Sequence, residues 1–254
     1  MDLAGSLIIA FSMYSRIPMP QVEWTKERMK YAMCFFPLIG VVIGALVYIS
    51  FTLLTGLGFD WMAGIFPAAV PILVTGGIHM DGFLDVVDAR ASHADKEKKL
   101  QIMKDPHTGA FAIIGCCVYF LLYVAAFGEI KPEYMAAVGG IFVLTRALSG
   151  LAVVSFPMAK TSGLAASFSG QAHKLVVQAV MVLFLAAAVV FIFLAGGLYA
   201  GVVSFLTAAA VYFYYYRMAK KEFGGITGDL AGYFLQLCEL WLIWGLAIVS
   251  HVTG

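Results

Sequence analysis

Apolar residues fill long blocks of this chain, and the charged residues gather between them. Seven blocks reach the roughly 20 apolar residues that a helix needs to cross a bilayer. They lie near residues 31–55, 61–80, 109–128, 134–156, 175–195, 198–216 and 230–250. Only the Ala-Gly-Gly-Leu run at 195–198 separates the fifth from the sixth, which predicts a tight helical hairpin. Residues 3 to 15 are apolar but too short to span. They predict an interfacial or partly buried helix, stopped by Pro18 and Pro20. The fold expected is therefore all-α, a polytopic integral membrane helical bundle of about seven transmembrane helices plus a short N-terminal interfacial helix. No internal repeat or low-complexity linker divides it, so residues 1–254 read as a single membrane-embedded catalytic domain.

Of the 254 residues, 62% are hydrophobic and 12% charged. A soluble domain carries about 25% charged residues, so the composition excludes one. A net charge of +1 offers no basis for a nucleic-acid partner. The placement of charge is more informative. Fourteen of the 16 Lys and Arg fall in alternate loops, around Arg16 to Lys30, Arg90 to Lys104, Lys160 to Lys174 and Arg217 to Lys221. Lys131 stands alone on the other side, and Arg146 lies inside a span. This bias predicts a multi-pass protein of the cell membrane with those loops in the cytoplasm and the carboxyl terminus outside. The opening MDLAGSLIIAFSMYS lacks a basic n-region, so no signal peptide is expected. Cys34, Cys116, Cys117 and Cys238 sit in apolar runs without metal-ligand spacing and read as packing residues.

Candidate chemistry concentrates in Gly76 to Arg90, GGIHMDGFLDVVDAR. In a helix, steps of four and then three put Asp81, Asp85 and Asp88 on one face. Three uncompensated carboxylates on one stripe repel one another, and oxygen ligands suit a hard divalent cation such as Mg2+. Two plainer readings compete: a solvated cap where a membrane helix meets water, or an N-cap at Asp81. His79 beside the stripe reads either as a structural hydrogen-bonder or as a ligand. Asp105, in MKDPHTG, reads as a helix cap, a site residue or both. Lys104 and His107 flank it and would meet a phosphate or simply face solvent. Gly224 to Asp229, GGITGD, has glycines that let backbone amides approach an anion at a helix start, though Asp229 reads equally as a cap. Arg146 and Glu239 are the charges deepest within spans, which predicts that they pair or line one polar cleft. Tyr212, Tyr214, Tyr215 and Tyr216 read as an interfacial aromatic belt. All the acid-bearing segments fall on the cytoplasmic side, so a common site is open to them.

These motifs resemble the cobalamin synthases, the adenosylcobinamide-GDP ribazoletransferases. The resemblance is carried by RIPMP at 16–20, FFPLIG at 35–40, GGIHMDGFLDVVDA at 76–89, KLQIMKD at 99–105, Thr145-Arg146-Ala147 and GGITGD at 224–229, in family order across almost the whole chain. It implies an integral membrane enzyme that uses Mg2+ to join adenosylcobinamide-GDP to alpha-ribazole, or to alpha-ribazole 5'-phosphate, with release of GMP. The family's acidic motif falls on Asp81, Asp85 and Asp88, implied as metal ligands and catalytic groups, Asp81 being the first choice for a proton acceptor. Arg146 is implied at leaving-group charge. His79, Lys104, Asp105, Gly225, Thr227, Asp229 and Glu239 are implied as substrate contacts. Three positions depart from the family pattern: Ala89 stands where glycine is usual, Pro106-His107 replaces Ser-Arg, and Gln236 replaces a glutamate.

Two rival readings are weaker. A CDP-alcohol phosphotransferase also splits a diphosphate with an aspartate-rich helix, but its pattern needs Ala-Arg after DG-x-x and a second acidic half, both missing here. A cation-coupled transporter would hold its site near mid-membrane in repeated, discontinuous helices, whereas this stripe falls at a span boundary. The sequence leaves open whether the chain forms a homo-oligomer with copies of itself in the lipid bilayer.

Overall fold

The computed structural model describes residues 2–160 and 163–253; among these, helices follow the apolar blocks and no strand forms. Asp2 caps α1 (Leu3–Tyr14) by accepting from the Gly5 amide, and it pairs with Arg28 at 2.7 Å. Ile9 and Ala10 are fully buried. The Arg16 amide donates to the Val74 carbonyl at 2.7 Å, so the N-terminal helix docks on the bundle. Thr25 caps α2 (Lys26–Ala32), which runs through a short 3-10 turn into α3 (Phe36–Gly56).

The second expected crossing, 61–80, ends early. α4 (Asp60–Thr75) stops at Gly76 and Gly77, whose φ of 66° and 81° lie in the left-handed region open to glycine at little cost. The chain turns by 94° there into α5 (Ile78–Ala91). The acid stripe is therefore not the tail of a crossing. It occupies a helix of its own, bent sharply away from the one before it.

α6 (Lys96–Ile102), α7 (Ala110–Gly128), α8 (Met135–Ser155), α9 (Leu164–Gln171), α10 (Lys174–Met218) and α11 (Gly228–Thr253) complete the chain. α10 has 45 residues, about 68 Å if straight and about twice the hydrocarbon thickness. Gly197, at φ 82° and ψ −178°, breaks it. A Cβ on Gly201 would lie 3.1 Å from the Phe193 Cβ, whereas residues eight apart on one straight helix are about 12 Å apart. The two arms thus fold back as the predicted hairpin. By length and composition five described helices qualify to cross a membrane, or six with the bent α4–α5 pair. The expected seven is reached only if that pair and both arms of α10 each count as crossings.

The chain is an all-α, multi-pass membrane protein. Leu53, Leu121, Leu183 and Leu194 are 60–76% exposed on its outside, a surface that lipid covers. Inside, α8 packs on α3 and on the first arm of α10, while α11 packs on α5 and the second arm. A Cβ at Gly44 would come within 2.5 Å of the Gly139 carbonyl oxygen, so α3 and α8 touch backbone to backbone. Small residues drive such contacts where no water is available to be expelled. The tyrosine run is not a simple belt. Tyr215 is buried and stacks on Phe234 with ring centres 4.8 Å apart, and Tyr214 accepts a 2.8 Å hydrogen bond from Arg90. At the end of the second arm, Tyr215 packs on α11 and Tyr214 meets α5 through Arg90, so the run serves helix packing as well as the boundary.

Arg146 on α8 and Glu239 on α11 form the expected pair, Nη1 to Oε1 at 2.8 Å with both side chains 1% exposed. Thr145 donates to Glu239 Oε1 and Tyr123 to Oε2, at 3.3 and 3.4 Å. Removing one partner of a buried pair strands the other charge, at about 3–5 kcal/mol. Arg146→Met and Glu239→Gln should each lower the thermal midpoint of the purified protein strongly, and the double variant should recover part of that loss. A midpoint for the double variant equal to the sum of the single losses would contradict the pairing.

Candidate active site

At one end of the bundle α5 lies against the start of α11 so closely that neither tolerates a side chain between them. A Cβ at Gly82 would stand 2.7 Å from Asp229 Cα and O, and one at Gly232 would stand 2.9 Å from the His79 carbonyl oxygen. This crossing sets Asp81 beside Asp229 on the wall of a cavity of about 460 Å³, a size typical of small-molecule sites. His79, Lys104, Lys160 and Thr227 also reach its wall, while Met13, Tyr14 and Phe36 line an apolar part.

Thr227, rather than Asp229, caps α11: its hydroxyl oxygen accepts from the Leu230 amide at 3.2 Å. The Asp229 carboxylate is thereby left to face the cavity, and among the described residues its one side-chain hydrogen-bond partner is the Thr227 hydroxyl at 3.5 Å. Asp85 has Asp81, Asp88 and Asp229 as its charged neighbours. Asp88 points the other way, its carboxylate lying over Gly109 at the start of α7 in the space a Cβ there would fill. Helix starts favour negative charge, which gives Asp88 a local reason to turn from the cavity.

Among the described residues no three His, Cys, Asp or Glu side chains converge closely enough to enclose a metal ion as they stand. The donor chemistry nonetheless fits magnesium. That ion needs only one or two carboxylates when water and substrate phosphate oxygens supply the rest, and Asp81 and Asp229 already share one wall.

The basic side of the cavity is equally defined. Burial and the neighbouring Lys104 push the Lys160 ammonium below the usual lysine range, against a smaller opposing pull from Asp229. Two ammoniums held near each other at a cavity are relieved by an anion. Lys160 also donates to the Leu100 carbonyl at 3.2 Å. Its segment is fixed by a parallel bridge in which the Ala159 amide donates to Ile226 and the Ile226 amide to Pro157, both at 2.9 Å. A Cβ at Gly225 would strike Pro157 O at 2.5 Å and Ala159 N at 2.6 Å. Gly225 is therefore demanded by this pairing, and it does not reach the cavity as a substrate contact.

Three other expected site residues lie elsewhere. Asp105 is exposed and accepts from the His107 amide at 2.9 Å and from its ring at 2.7 Å. That backbone bond, with the ring contact, holds its carboxyl below the usual range. It neither lines the cavity nor caps α7, whose cap position is Gly109. Arg146 and Glu239 are engaged with each other and are likewise absent from the cavity wall, so the roles expected of them at leaving-group charge and at substrate do not match their positions.

Sequence reasoning missed Lys160 and Tyr14. It also missed a clamp in which Arg90 holds Glu222 at 3.0 and 3.2 Å, Lys99 holds the same carboxylate at 2.8 Å, and Arg90 donates to Tyr233 at 3.0 Å. The clamp ties the end of α5 and α6 to the π-helical turn Ala219–Phe223 that precedes α11. No local pattern announces partners 132 residues apart.

Fold and site together define a polytopic membrane protein with an acid-and-ammonium cavity at one end of its bundle. The family model for cobalamin-5-phosphate synthase matches residues 6–247, and the chain belongs to that family. It is 47% identical over 251 residues to the adenosylcobinamide-GDP ribazoletransferase of Lachnoclostridium phytofermentans, covering 98% of this chain and 95% of that one. Identity to the protein of the same name from Clostridium perfringens strain 13 is 36%, covering 91% and 92%, and to that from Listeria monocytogenes serotype 4b it is 31%, covering 95% and 99%. No solved structure matches the chain.

Inorganic diphosphate should bind the purified protein, more weakly as salt rises. Lys160→Gln and Lys104→Gln should each weaken that binding about tenfold, the scale of one charge-assisted hydrogen bond. Calorimetric titration checks this, and unchanged affinity in both variants would remove the anion-binding wall.

Proposed function

We propose that this protein is an adenosylcobinamide-GDP ribazoletransferase, joining adenosylcobinamide-GDP to alpha-ribazole or its 5'-phosphate and releasing GMP. The observation that carries the proposal is the single cavity in which Asp81 and Asp229 face Lys104 and Lys160, on a chain nearly half identical to a protein of that name. A diphosphate needs cationic contacts for its oxygens, and an attacking hydroxyl needs a carboxylate nearby.

In the reaction, a ribose hydroxyl oxygen of the acceptor other than the 5' one, which already carries phosphate in alpha-ribazole 5'-phosphate, forms a bond to the phosphorus attached to cobinamide. The bond from that phosphorus to the bridging oxygen breaks, and the bridging oxygen departs with GMP. The protein's task is to position these groups and balance their charge. Lys104 and Lys160 bind the diphosphate oxygens and favour GMP as it leaves. Asp81 and Asp229, with Asp85 beside them, are the residues that would hold Mg2+, which when bound supplies further charge neutralisation at the diphosphate. Asp88, turned to Gly109, stands outside this set. The carboxylate left free of metal, Asp81 first, accepts the hydroxyl proton. Arg146 and Glu239 act behind this surface by fixing α8 against α11. The basic bias of the loops supports placing the cavity on the cytoplasmic side of the cell membrane, where soluble nucleotides are available.

Purified protein supplied with adenosylcobinamide-GDP, alpha-ribazole and magnesium should release GMP and form a new corrinoid; no GMP would refute the assignment. EDTA should abolish turnover and added magnesium restore it. Asp81→Asn, Asp85→Asn and Asp229→Asn should each lower turnover at least 100-fold with normal membrane insertion, while Asp88→Asn should cost less. Near-normal turnover in any two of the first three would end the metal-binding reading.

A further inference from the structure

The cavity has an apolar end that charge alone does not account for. His79 is 5% exposed and lines the cavity, yet its Nε2 has no hydrogen-bond partner. Five buried side-chain polar atoms among the described residues lack partners, and of these only His79 Nε2 belongs to a cavity-lining residue. A buried polar atom without a partner is unfavourable and calls for one. Aromatic rings surround it. Tyr14 lies nearly parallel to the imidazole, 6.1 Å between centres at 21°, and Phe36 meets it edge-on at 5.9 Å. Tyr14 and Phe36 touch each other at 4.5 Å. The same cavity therefore runs from an aromatic end with one unpaired nitrogen to a charged end holding Asp81, Asp229 and the two lysines.

We propose that Tyr14, Phe36 and His79 form the subsite for the planar base of the ribazole substrate, with His79 Nε2 hydrogen-bonded to the base's unsubstituted ring nitrogen. This rests on the proposed ribazoletransferase reading and adds residues that bind and select the acceptor. A nucleoside so placed has its base among the rings and its ribose toward Asp81, which lines the same cavity as His79. The competing occupant is the guanine of the donor. Guanine carries hydrogen-bonding groups around most of its edge, and an apolar end with one partner atom would leave most of them unpaired. Dimethylbenzimidazole has a single acceptor nitrogen and an otherwise apolar rim, which matches one imidazole N–H among aromatic and methionine side chains.

The test is steady-state kinetics with each substrate varied in turn, for the wild type, Tyr14→Leu, His79→Phe and His79→Gln. Alpha-ribazole is compared throughout with its indole analogue, in which a CH replaces the acceptor nitrogen. Tyr14→Leu and His79→Phe should raise the KM for alpha-ribazole at least tenfold while the KM for adenosylcobinamide-GDP stays within twofold. The wild type should disfavour the indole analogue at least tenfold in kcat/KM. His79→Phe should lose that preference, and His79→Gln, which retains an N–H donor, should keep part of it. The analogue comparison on the wild type holds even where a variant fails to fold. Equal use of the analogue by the wild type, or an unchanged ribazole KM in folded Tyr14→Leu and His79→Phe, would overturn the subsite. A rise confined to the KM for adenosylcobinamide-GDP would assign the aromatic end to guanine and overturn it too. Absence of GMP release by the wild type would instead remove the underlying reaction.

Discussion

The structure depends on a contact with no side chains in it. Where α5 crosses the first turn of α11, Gly82 lies against the Asp229 backbone and Gly232 against the His79 carbonyl. Two helices whose backbones touch are fixed in register far more tightly than two held apart by flexible side chains. That register brings an acid from each helix to one cavity. The 94° turn at Gly76–Gly77 makes the contact reachable, because a straight continuation of α4 would carry the aspartates away from α11.

Charge organises the rest in two layers. Inside, Arg146 and Glu239 neutralise each other between α8 and α11, deep enough that neither survives alone without large cost. Toward the end of the bundle, Glu222 gathers Arg90 and Lys99 and so anchors the turn before α11 to α5 and α6. These contacts use up their charges. Asp81, Asp229, Lys104 and Lys160, which line the cavity, have no ion pair of this kind among the described residues.

Much of this was legible in the sequence. Block length and the Ala-Gly-Gly-Leu break foretell the helices and the hairpin, since both follow from local composition. The four-then-three spacing of Asp81, Asp85 and Asp88 correctly places them on one helix, yet Asp88 turns to the start of α7, a neighbour that spacing does not reveal. The pairing of Arg146 with Glu239 is foreseeable because lone charges in lipid are so costly; the same argument weighs against a direct role for either. Gly225 reads as an anion contact until the bridged segment Pro157–Ala159 is seen beside it. Lys160 and Tyr14 carry no pattern at all and reach the cavity only through tertiary packing. Identity with named relatives supplies the reaction, and geometry supplies which residues stand where it occurs.

The central claim is that backbone contact between α5 and α11 assembles the acid wall. Electron paramagnetic resonance of Mn2+ bound with inorganic diphosphate, comparing wild type with Gly82→Val, tests it most directly. A folded, membrane-inserted Gly82→Val protein should bind at least tenfold more weakly, because the added side chain drives Asp229 from Asp81. Equal Mn2+-diphosphate affinity in that variant would contradict it.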